Sequence, residues 1–585
     1  MQPKRYLQLL FLLLFFVINS FLTAQVVLVP LNDKVYDFLE ELEIKGLASR
    51  YFIGSKPLSR KQVLDYLLKA AHSPNFKNLS QLEKNKYEKY LKKLSPEKKL
   101  WHGTDDFVNI GEEIFKKLTD YEIDISVTKK DSAWHSYSLP FEFYRNKSYL
   151  QLNPIAKAKY VINSSDSSYF DENQSLLTGG GRIFGYLGDH IGFGFRAVNN
   201  RVDANEFDFK KFDCNEQGIG SLVTRGTYYD EIDAYISLSS EYADLVLGKF
   251  SNYWGTGKSG SVTISNRAPS YPQIMLRTGF SNWLNFVYFH GWLESNLQDD
   301  STSYTFQDGD QTFYRKFYKQ KYIAAHRLEI APWENFKFAF SEMLYYGETD
   351  PKMIYFIPVM FFWSAQHQTN DQDNEELGFD VEWIPTDFCK LYGSMIIDDI
   401  RLTKIFDEDE SLNYLGYQVG TKLVEPLMPN LNMQIEYTHI NPWVYTHKFP
   451  INRATTDDYL MGFWSGQNSD NLFLEMNYDL DSRQNISLAF SHYRKGAQDS
   501  TYKQYECPPS EKFMFGHQYT RNSVNLQYTR ELFEYLTASV GLKFQNINVN
   551  EDNIEKAEQG IYVNPVYYKN DFDRYSASIS FTYGL

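Results

Sequence analysis

The sequence predicts an all-β transmembrane barrel of about 18 antiparallel strands, preceded by a small N-terminal α-helical domain. Three observations lead to this fold class: a secretory N-terminus, an aromatic-rich composition, and a two-residue alternation that runs to the last residues. The chain has 585 residues, of which 17% are aromatic, yet its mean hydropathy is only −0.47. Membrane barrels combine these values because only alternate residues of each strand face lipid. A large aromatic-rich periplasmic β protein is the alternative.

The first 24 residues have the features of a secretory signal peptide. Lys4 and Arg5 form a charged start, residues 7–17 are an apolar run, and cleavage is predicted before Gln25. No later run reaches the roughly 18 apolar residues that a membrane-spanning helix requires, and the longest candidate is 353–363. We therefore expect an exported protein without a helical membrane span.

The alternation is clearest in residues 575–585. The odd positions are apolar or aromatic, as at Tyr575, Ile579 and Leu585, and the even positions are small and polar, or Gly. A period of two places the two sets on opposite faces of a strand. The polar set has no charged residue, so it suits a barrel lumen better than the wet face of a soluble sheet. A chain that ends on such a strand is typical of bacterial outer-membrane barrels.

The chain divides into a signal peptide (1–24), a periplasmic helical domain (25–120) and an outer-membrane barrel (121–585). From about Tyr149 onward, tight turns alternate with long polar segments. Tight turns are predicted at 187–190, 239–241, 281–282, 332–334, 385–387, 425–430, 479–483 and 531–533. In such barrels the short turns face the periplasm and the long loops face the outside. An even strand number would place both chain ends in the periplasm.

Three amphipathic helices are predicted within residues 25–120. The first opens at Asn32 or Asp33. Ser59 and Ser80 each open another, with a Gln or Glu three residues later, which is the capping-box pattern. The third helix is rich in lysine, at positions 84, 86, 89, 92 and 93. We interpret these lysines as a solvated face, with contact to an acidic glycan or lipid headgroup as the alternative.

Charge limits the possible partners. The formal net charge of −15 argues against nucleic acid. We expect no cofactor, although acidic loops such as the run 407–410 could bind Ca²⁺. The expected environment is outer-membrane lipid, and the expected oligomeric state is a monomer.

Residues 248–276 carry the most information about function. Three glycines between positions 255 and 260 allow sharp bends, and Trp254 offers a flat apolar ring with one N–H donor. Ser265, Asn266 and Arg267 add neutral and cationic donors. An aromatic ring beside amide and guanidinium groups is how sugars are usually held. The alternative is a luminal constriction that only plugs the barrel.

This block resembles the signature of the capsule assembly Wzi family. The matching residues are Trp254, Gly255, Gly257, Gly260, Ser261, Ser265, Asn266, Ala268, Pro269 and Pro272. Thr256 replaces the usual Pro, and Arg267 precedes Ala268 where the order is often reversed. Further matches, in order along the chain, are Asn153-Pro154, Asp373-Asn374, Asp398-Asp399, Asn441-Pro442 and Tyr445-Thr446-His447.

The resemblance implies an outer-membrane barrel with a periplasmic helical bundle. It implies a lectin-like role, in which exported capsular polysaccharide or exopolysaccharide is held at the cell surface, and it does not imply an enzyme. Export machinery is a further expected partner. The candidate polysaccharide-binding residues are Trp254, Ser265, Asn266, Arg267, Asp373, Asn374, Asp399, Tyr445 and His447.

Two other functions are weighed against this one. A polar lumen within an 18-strand perimeter would permit an outer-membrane porin or saccharide channel. A surface glycosidase would need two carboxyl groups facing one bond. Asp398 and Asp399 are adjacent on a predicted strand, so their side chains point to opposite faces and cannot form that pair alone.

Overall fold

The computed structural model describes most of the chain beyond the predicted signal peptide. The described residues are 26–94, 96–97, 141–145, 148–166, 173–188, 191–203, 228–240, 242–309, 311–368, 373–399, 414–498, 511–559 and 568–584. The predicted boundary at residue 120 between the helical domain and the barrel, the acidic run 407–410 and the final residue, Leu585, lie outside these ranges.

Eighteen strands form a closed antiparallel barrel in which each strand pairs with its neighbours in sequence and the last pairs with the first. This confirms the predicted fold class and strand number. The strands β1 to β18 are Ser148–Ser165, Gln174–Leu187, Ile191–Asp203, Tyr228–Ser239, Ala243–Phe250, Tyr271–Ser281, Leu284–Gln298, Tyr318–Trp333, Phe336–Gly347, Asn374–Thr386, Cys389–Asp399, Tyr414–Val424, Leu431–Ile440, Ser469–Asp481, Gln484–Lys495, Tyr519–Phe533, Leu536–Val549 and Phe572–Tyr583.

Short connections and long connections lie at opposite ends of the barrel, because successive strands are antiparallel. Seven of the eight predicted tight turns fall at connections between paired strands, for example at Leu187–Ile191. The eighth, predicted at 531–533, lies at the end of β16, and the turn itself follows at 534–535. We call the end that carries these turns the short-turn end and the opposite rim the long-loop end. A hairpin of Tyr304–Asp308 with Gln311–Arg315, a strand pair of Thr455–Thr456 with Tyr459–Leu460, and helices Phe362–Gln368 and Glu551–Glu558 belong to the long connections.

The outer face of the barrel is apolar, and alternate residues point into a polar lumen. In β18, Tyr575, Ala577, Ile579 and Phe581 are exposed, while the small polar residues between them are half-buried. The predicted alternation is therefore confirmed, and it gives the wall the apolar outer band that lipid requires. Among the helices that the structure describes, none combines the length and apolarity needed to cross a membrane.

The N-terminal residues form three helices around their own apolar core. Helix α1 is Val35–Ile44, α2 is Arg60–His72 and α3 is Gln81–Lys93, with a 3₁₀ turn at Pro74–Asn78. Both predicted capping boxes are present, at the starts of α2 and α3. The main-chain N–H of Val35 donates to the Asp33 carboxylate, so the first helix also begins as predicted, within one residue.

Helix α1 lies in the lumen at the short-turn end, where its carboxylates meet lysines of the wall. Glu43 pairs with Lys337 of β9 at 2.9 Å. Glu40 pairs with Lys390 of β11 and lies 2.6 Å from Lys422 of β12. Burying charges is costly unless they are paired. These ion pairs therefore hold α1 against the wall, because each lysine neutralises the carboxylate that it contacts.

The lysine-rich face of α3 is only partly solvated, because Lys86 and Lys89 pair with the barrel rim, whereas Lys92 stays largely exposed. Lys86 lies 2.6 Å from Asp479, Lys89 pairs with Glu531, and Lys92 lies 3.3 Å from Glu534. These acidic residues belong to the short-turn ends of β14 and β16 and to the turn that follows β16. The basic face of α3 is complementary to the acidic barrel rim opposite it. The sequence of the helix alone does not reveal this partner.

Charge reversal on α3 should loosen the helical domain. Lys86→Glu with Lys89→Glu places like charges opposite Asp479 and Glu531, and we expect a loss of about 1–2 kcal/mol of docking free energy, or about tenfold faster cleavage of α3 by thermolysin. Asp479→Lys with Glu531→Lys should restore protection.

The matched control is Lys77→Glu with Lys84→Glu. It changes the net charge on and next to α3 by the same amount but leaves the rim contacts intact. Equal cleavage of this control and the Lys86/Lys89 variant would mean that helix electrostatics, and not the rim contacts, explain the effect.

Glu40 gives the docking a defined pH dependence. Burial alone would raise the pKa of Glu40, but the Lys390 and Lys422 ammonium groups outweigh it and hold that pKa well below its usual range. A lowered folded-state pKa stabilises the folded form above the ordinary carboxyl value, and this stabilisation is lost as the pH falls through the lowered pKa.

Glu40→Gln should therefore weaken docking at pH 7 by roughly 3 kcal/mol. The difference in docking free energy between this variant and the wild type should shrink only when the pH falls well below the ordinary pKa of Glu. Hydrogen exchange of the α1 amides, compared between the two proteins at each pH, measures this. Glu88→Gln on α3 is the control. A difference that already disappears near pH 5 would contradict the assignment.

Candidate functional site

The long connection between β5 and β6, residues 251–270, folds into the lumen and reaches the helical domain. Its strand Tyr253–Trp254 pairs with Ser55–Lys56 of the N-terminal domain. The Gly255 N–H donates to the Gly54 carbonyl at 2.8 Å. We call residues 251–270 the luminal insert. It connects the long-loop rim to the domain at the short-turn end.

Glycines allow the insert to bend inside the barrel. Gly255 and Gly260 have φ values of +126° and +150°, which side chains rarely tolerate. At Gly257, an added Cβ would lie 1.9 Å from the Gln418 side-chain oxygen of β12. The glycine pattern noted in the sequence therefore reflects backbone conformation and close contact with the wall.

Trp254 is buried, and this corrects its expected role. It is 1% exposed and packs edge-on against Phe289 of β7, with 5.2 Å between ring centroids. The hydroxyl of Thr263 donates to the Trp254 carbonyl at 2.8 Å. Because the ring lies among other apolar side chains, no sugar can stack on it while the insert keeps this position. Its burial agrees with the alternative interpretation, in which this part of the block is a plug.

A second connection, residues 441–468, packs on the luminal insert and brings two further candidates beside it. The Ser265 hydroxyl donates to the Gly462 carbonyl at 2.6 Å. The Tyr445 hydroxyl donates to the Val262 carbonyl at 2.6 Å, and Tyr445 is itself buried. Ser265 and Tyr445 thus join the two connections into one luminal plug.

The remaining candidates lie apart from this plug contact. The Asp373 carboxylate accepts hydrogen bonds from Lys352 at 2.6 Å and Tyr355 at 2.5 Å. His447 is largely buried, accepts from the Phe449 N–H at 3.2 Å, and has a pKa lowered by burial to about 4. Asn374 is buried at the start of β10. Of Asp399, the structure describes only the backbone.

A cavity of about 170 Å³ lies between the luminal insert, the N-terminal segment and strands β1 to β5. Asn266 is the one predicted candidate that lines it, and Ala268 and Pro269 of the same motif lie beside it. Arg267 is half-buried next to Asn266. The other polar and aromatic lining residues include Arg182, Arg196, Glu231, Asp233, Tyr235, Lys249 and Phe250. We call this space the luminal cavity.

The luminal cavity contains charges of both signs in fixed positions. Arg196 lies 2.8 Å from Glu231 and 3.6 Å from Asp233. Arg182 donates to the Leu28 carbonyl at 3.2 Å, while the Leu28 N–H donates to the Tyr235 hydroxyl at 2.9 Å. The N-terminal segment therefore orients two of the wall residues. Guanidinium, carboxylate and amide groups beside two aromatic rings suit a small ligand with several hydroxyl or acidic groups.

Sequence reasoning missed the wall residues of this cavity. Their signal was present: Glu231, Asp233 and Tyr235 alternate along β4, and Arg182 and Arg196 are directly paired in register on β2 and β3. Charged residues at alternate positions of a barrel strand point to the lumen. The sequence does not show, however, which of several luminal charges surround an open space.

Comparison with known proteins gives the family. The model of the family described as capsule assembly protein Wzi matches residues 147–559. No curated protein matches the chain.

The chain is also similar to several solved structures, of which the Wzi structure supports the fold. Wzi of Escherichia coli, described as an outer-membrane protein involved in group 1 capsule assembly and a carbohydrate-binding β-barrel, is 13% identical. The similarity covers 95% of this chain and 99% of that one, with a TM-score of 0.54. OccAB1 of Acinetobacter baumannii is 9% identical over 74% of this chain and 96% of its own, with a TM-score of 0.42. OprD of Pseudomonas aeruginosa is 9% identical over 74% and 94%, with a TM-score of 0.37.

The family match spans more than half of the chain and all but the last of the barrel strands. Together with the closed barrel of eighteen strands, it establishes that the chain belongs to the capsule assembly protein Wzi family.

Proposed function

We propose that this protein is a non-enzymatic, carbohydrate-binding barrel of the outer membrane that helps attach or assemble capsular polysaccharide or exopolysaccharide at the cell surface. Family membership supports the link to capsule assembly. The observation that carries the binding role is the luminal cavity, with its paired charges, amide and two aromatic rings. Hydroxyl groups of a sugar can both donate to the carboxylates and accept from the guanidinium groups.

The proposed orientation places the helical domain in the periplasm and the long connections outside the cell. The helical domain is bound to the short-turn end, and short turns face the periplasm in bacterial outer-membrane barrels. Export machinery would then approach from the side of the helical domain, while the exported glycan would meet the long-loop end.

In this proposal the glycan binds between the wall and the luminal insert. Asn266 belongs to the insert, whereas Lys249 is on β5 just before the insert begins. A sugar residue in the cavity would bridge these two groups and so join the insert to the wall. Its charge preference would follow the local excess of cations, since Arg182, Arg196 and Lys249 line the cavity together with two carboxylates, Glu231 and Asp233. An acidic polysaccharide is therefore the favoured class.

Removing the bridging groups should weaken binding. Lys249→Ala with Asn266→Ala removes one cation and one amide from the cavity, and we expect at least a tenfold lower affinity for the strain's own purified polysaccharide. In a deletion strain complemented with this variant, the cell-attached share of polysaccharide should fall while the total stays constant.

The matched control is Lys556→Ala with Asn548→Ala, two exposed residues near the long-loop end. If the cavity variant keeps the parental affinity and the parental cell-attached share of polysaccharide, the cavity is not the binding site. A deletion strain that keeps its attached polysaccharide would reject the attachment role itself.

A channel is the second function, and the contents of the lumen oppose it. The luminal insert, the 441–468 connection and helix α1 occupy the barrel interior and are bonded to its wall. We therefore expect the purified protein to give no large stable openings in a planar bilayer.

Large openings with the intact chain would favour transport over attachment.

A further inference from the structure

The outer face of β7 to β10 breaks the apolar pattern of the barrel. Arg327 of β8 points into the lumen, where it pairs with Asp380 of β10. Its neighbour His326 therefore points outward. Ser341 of β9 accepts from Arg327 in the lumen, so Glu342 also points outward. His326 and Glu342 pair with each other at 2.9 Å. A charged pair on the outer wall would be costly against lipid.

Residues 348–368, between β9 and β10, cover this pair from outside. We call them the outer segment. The Phe362 N–H at the start of its helix donates to the Glu342 carboxylate at 3.0 Å. The His326 ring stacks on the Phe362 ring with 4.6 Å between centroids. Glu342 is fully buried as a result, so the segment supplies the protein surroundings that the pair requires.

Further contacts fix the outer segment along the wall. The Tyr288 hydroxyl of β7 donates to the Tyr355 carbonyl at 2.7 Å. The His290 ring stacks on Phe356 at 4.1 Å. These contacts are buried, and they extend over three strands together with those of Phe362. The segment is therefore packed against the outside of the barrel, and does not extend away from it as a free loop.

The His326–Glu342 pair lies at a level of the barrel wall that a membrane would surround. Glu342 is six residues from Phe336 at the short-turn end of β9. At about 3.3 Å per residue and a strand tilt of roughly 40°, Glu342 lies about 15 Å from that rim. The apolar band of such barrels is about 25 Å tall. The outer segment thus begins its helix near the middle of the band.

The outward surface of the segment is apolar. Met353 and Val359 are 78% and 79% exposed, and Ile357, Phe361 and Trp363 are also exposed. The eleven residues 353–363 contain no charged side chain. A protein interface usually has a polar rim around an apolar centre. Here the exposed apolar surface instead continues onto the neighbouring wall, where Phe338, Phe379 and Val381 are exposed.

We propose that the outer segment is embedded in the outer half of the bilayer, where its exposed side chains contact lipid acyl chains. It acts as a second layer of the wall over β7 to β10, which hides the His326–Glu342 pair and presents lipid with a wedge of apolar side chains. Lipid is the favoured occupant because the exposed apolar surface of the segment adjoins the lipid-facing side chains of the wall between it and the short-turn rim. This proposal is independent of the polysaccharide-binding role.

Spin labels in vesicles test the proposal. In the full chain with Cys214, Cys389 and Cys507 replaced by Ser, a nitroxide is placed on Val359→Cys, and the protein is reconstituted in phosphatidylglycerol and phosphatidylethanolamine vesicles. Val419→Cys on the outer face of β12 is the lipid control, and Asp308→Cys in the exposed hairpin is the aqueous control. We expect the label at 359 to match that at 419, with high oxygen access and at least fivefold lower nickel-complex access than at 308.

Two results would overturn the proposal. Nickel-complex access at 359 equal to that at 308 would place the segment in water. Low access to both reagents, with dipolar broadening that disappears on dilution with unlabelled chain, would identify a second copy as the occupant.

A measurement on the unaltered chain covers the case in which the cysteine-free protein does not fold. Vesicles that carry a photoactivatable diazirine on the acyl chain should label residues 353–363 as strongly as β12. Labelling of β12 alone would reject the proposal.

Discussion

Charge pairing inside the lumen is the constraint on which the rest of the structure depends. Glu43, Lys337, Glu382, Lys390, Glu40 and Lys422 form a continuous chain of alternating charge across β9 to β12 and α1. Three carboxylates neutralise three ammonium groups, and every link is at most 3.2 Å. Without α1, the wall would keep three lysines and one carboxylate in a confined space. The barrel is therefore complete only with its helical domain in place.

The luminal insert extends this constraint to the long-loop end. Ser55 of the helical domain pairs with Trp254 of the insert. Ser55 is also bonded to the barrel wall, because its hydroxyl donates to Glu329 at 2.8 Å and its carbonyl accepts from Arg277 at 2.7 Å. Lys258 of the insert reaches Asp37 of α1 at 2.8 Å. The proposed binding site beside the insert and the docking contacts of the helical domain thus involve neighbouring residues. A glycan that displaces the insert would also disturb the domain at the other end.

The barrel was predictable from sequence because strand faces and turns are local. The alternation around Ile579 fixes two faces without knowledge of any partner, and the capping boxes at Ser59 and Ser80 fix helix starts in the same way. The contact of Lys86 with the rim was not predictable because its partner Asp479 lies almost 400 residues away. Trp254 was misread because its packing partner Phe289 comes from a different strand. Of the eight candidate residues whose side chains the structure describes, only Asn266 lines the luminal cavity.

The sequence by itself determined the closed barrel, its two unlike ends, the helical domain and the family signature, since each depends on periodicity, turn residues or local motifs. The tertiary structure decided what fills the lumen and what covers the wall. Asn266 lines the luminal cavity with Lys249 and Arg196 only because the insert folds inward. The His326–Glu342 pair is tolerated on the outer face only because Phe362 lies over it. These are contacts between distant segments, and their free energy depends on burial and charge pairing that exist only once the barrel has closed.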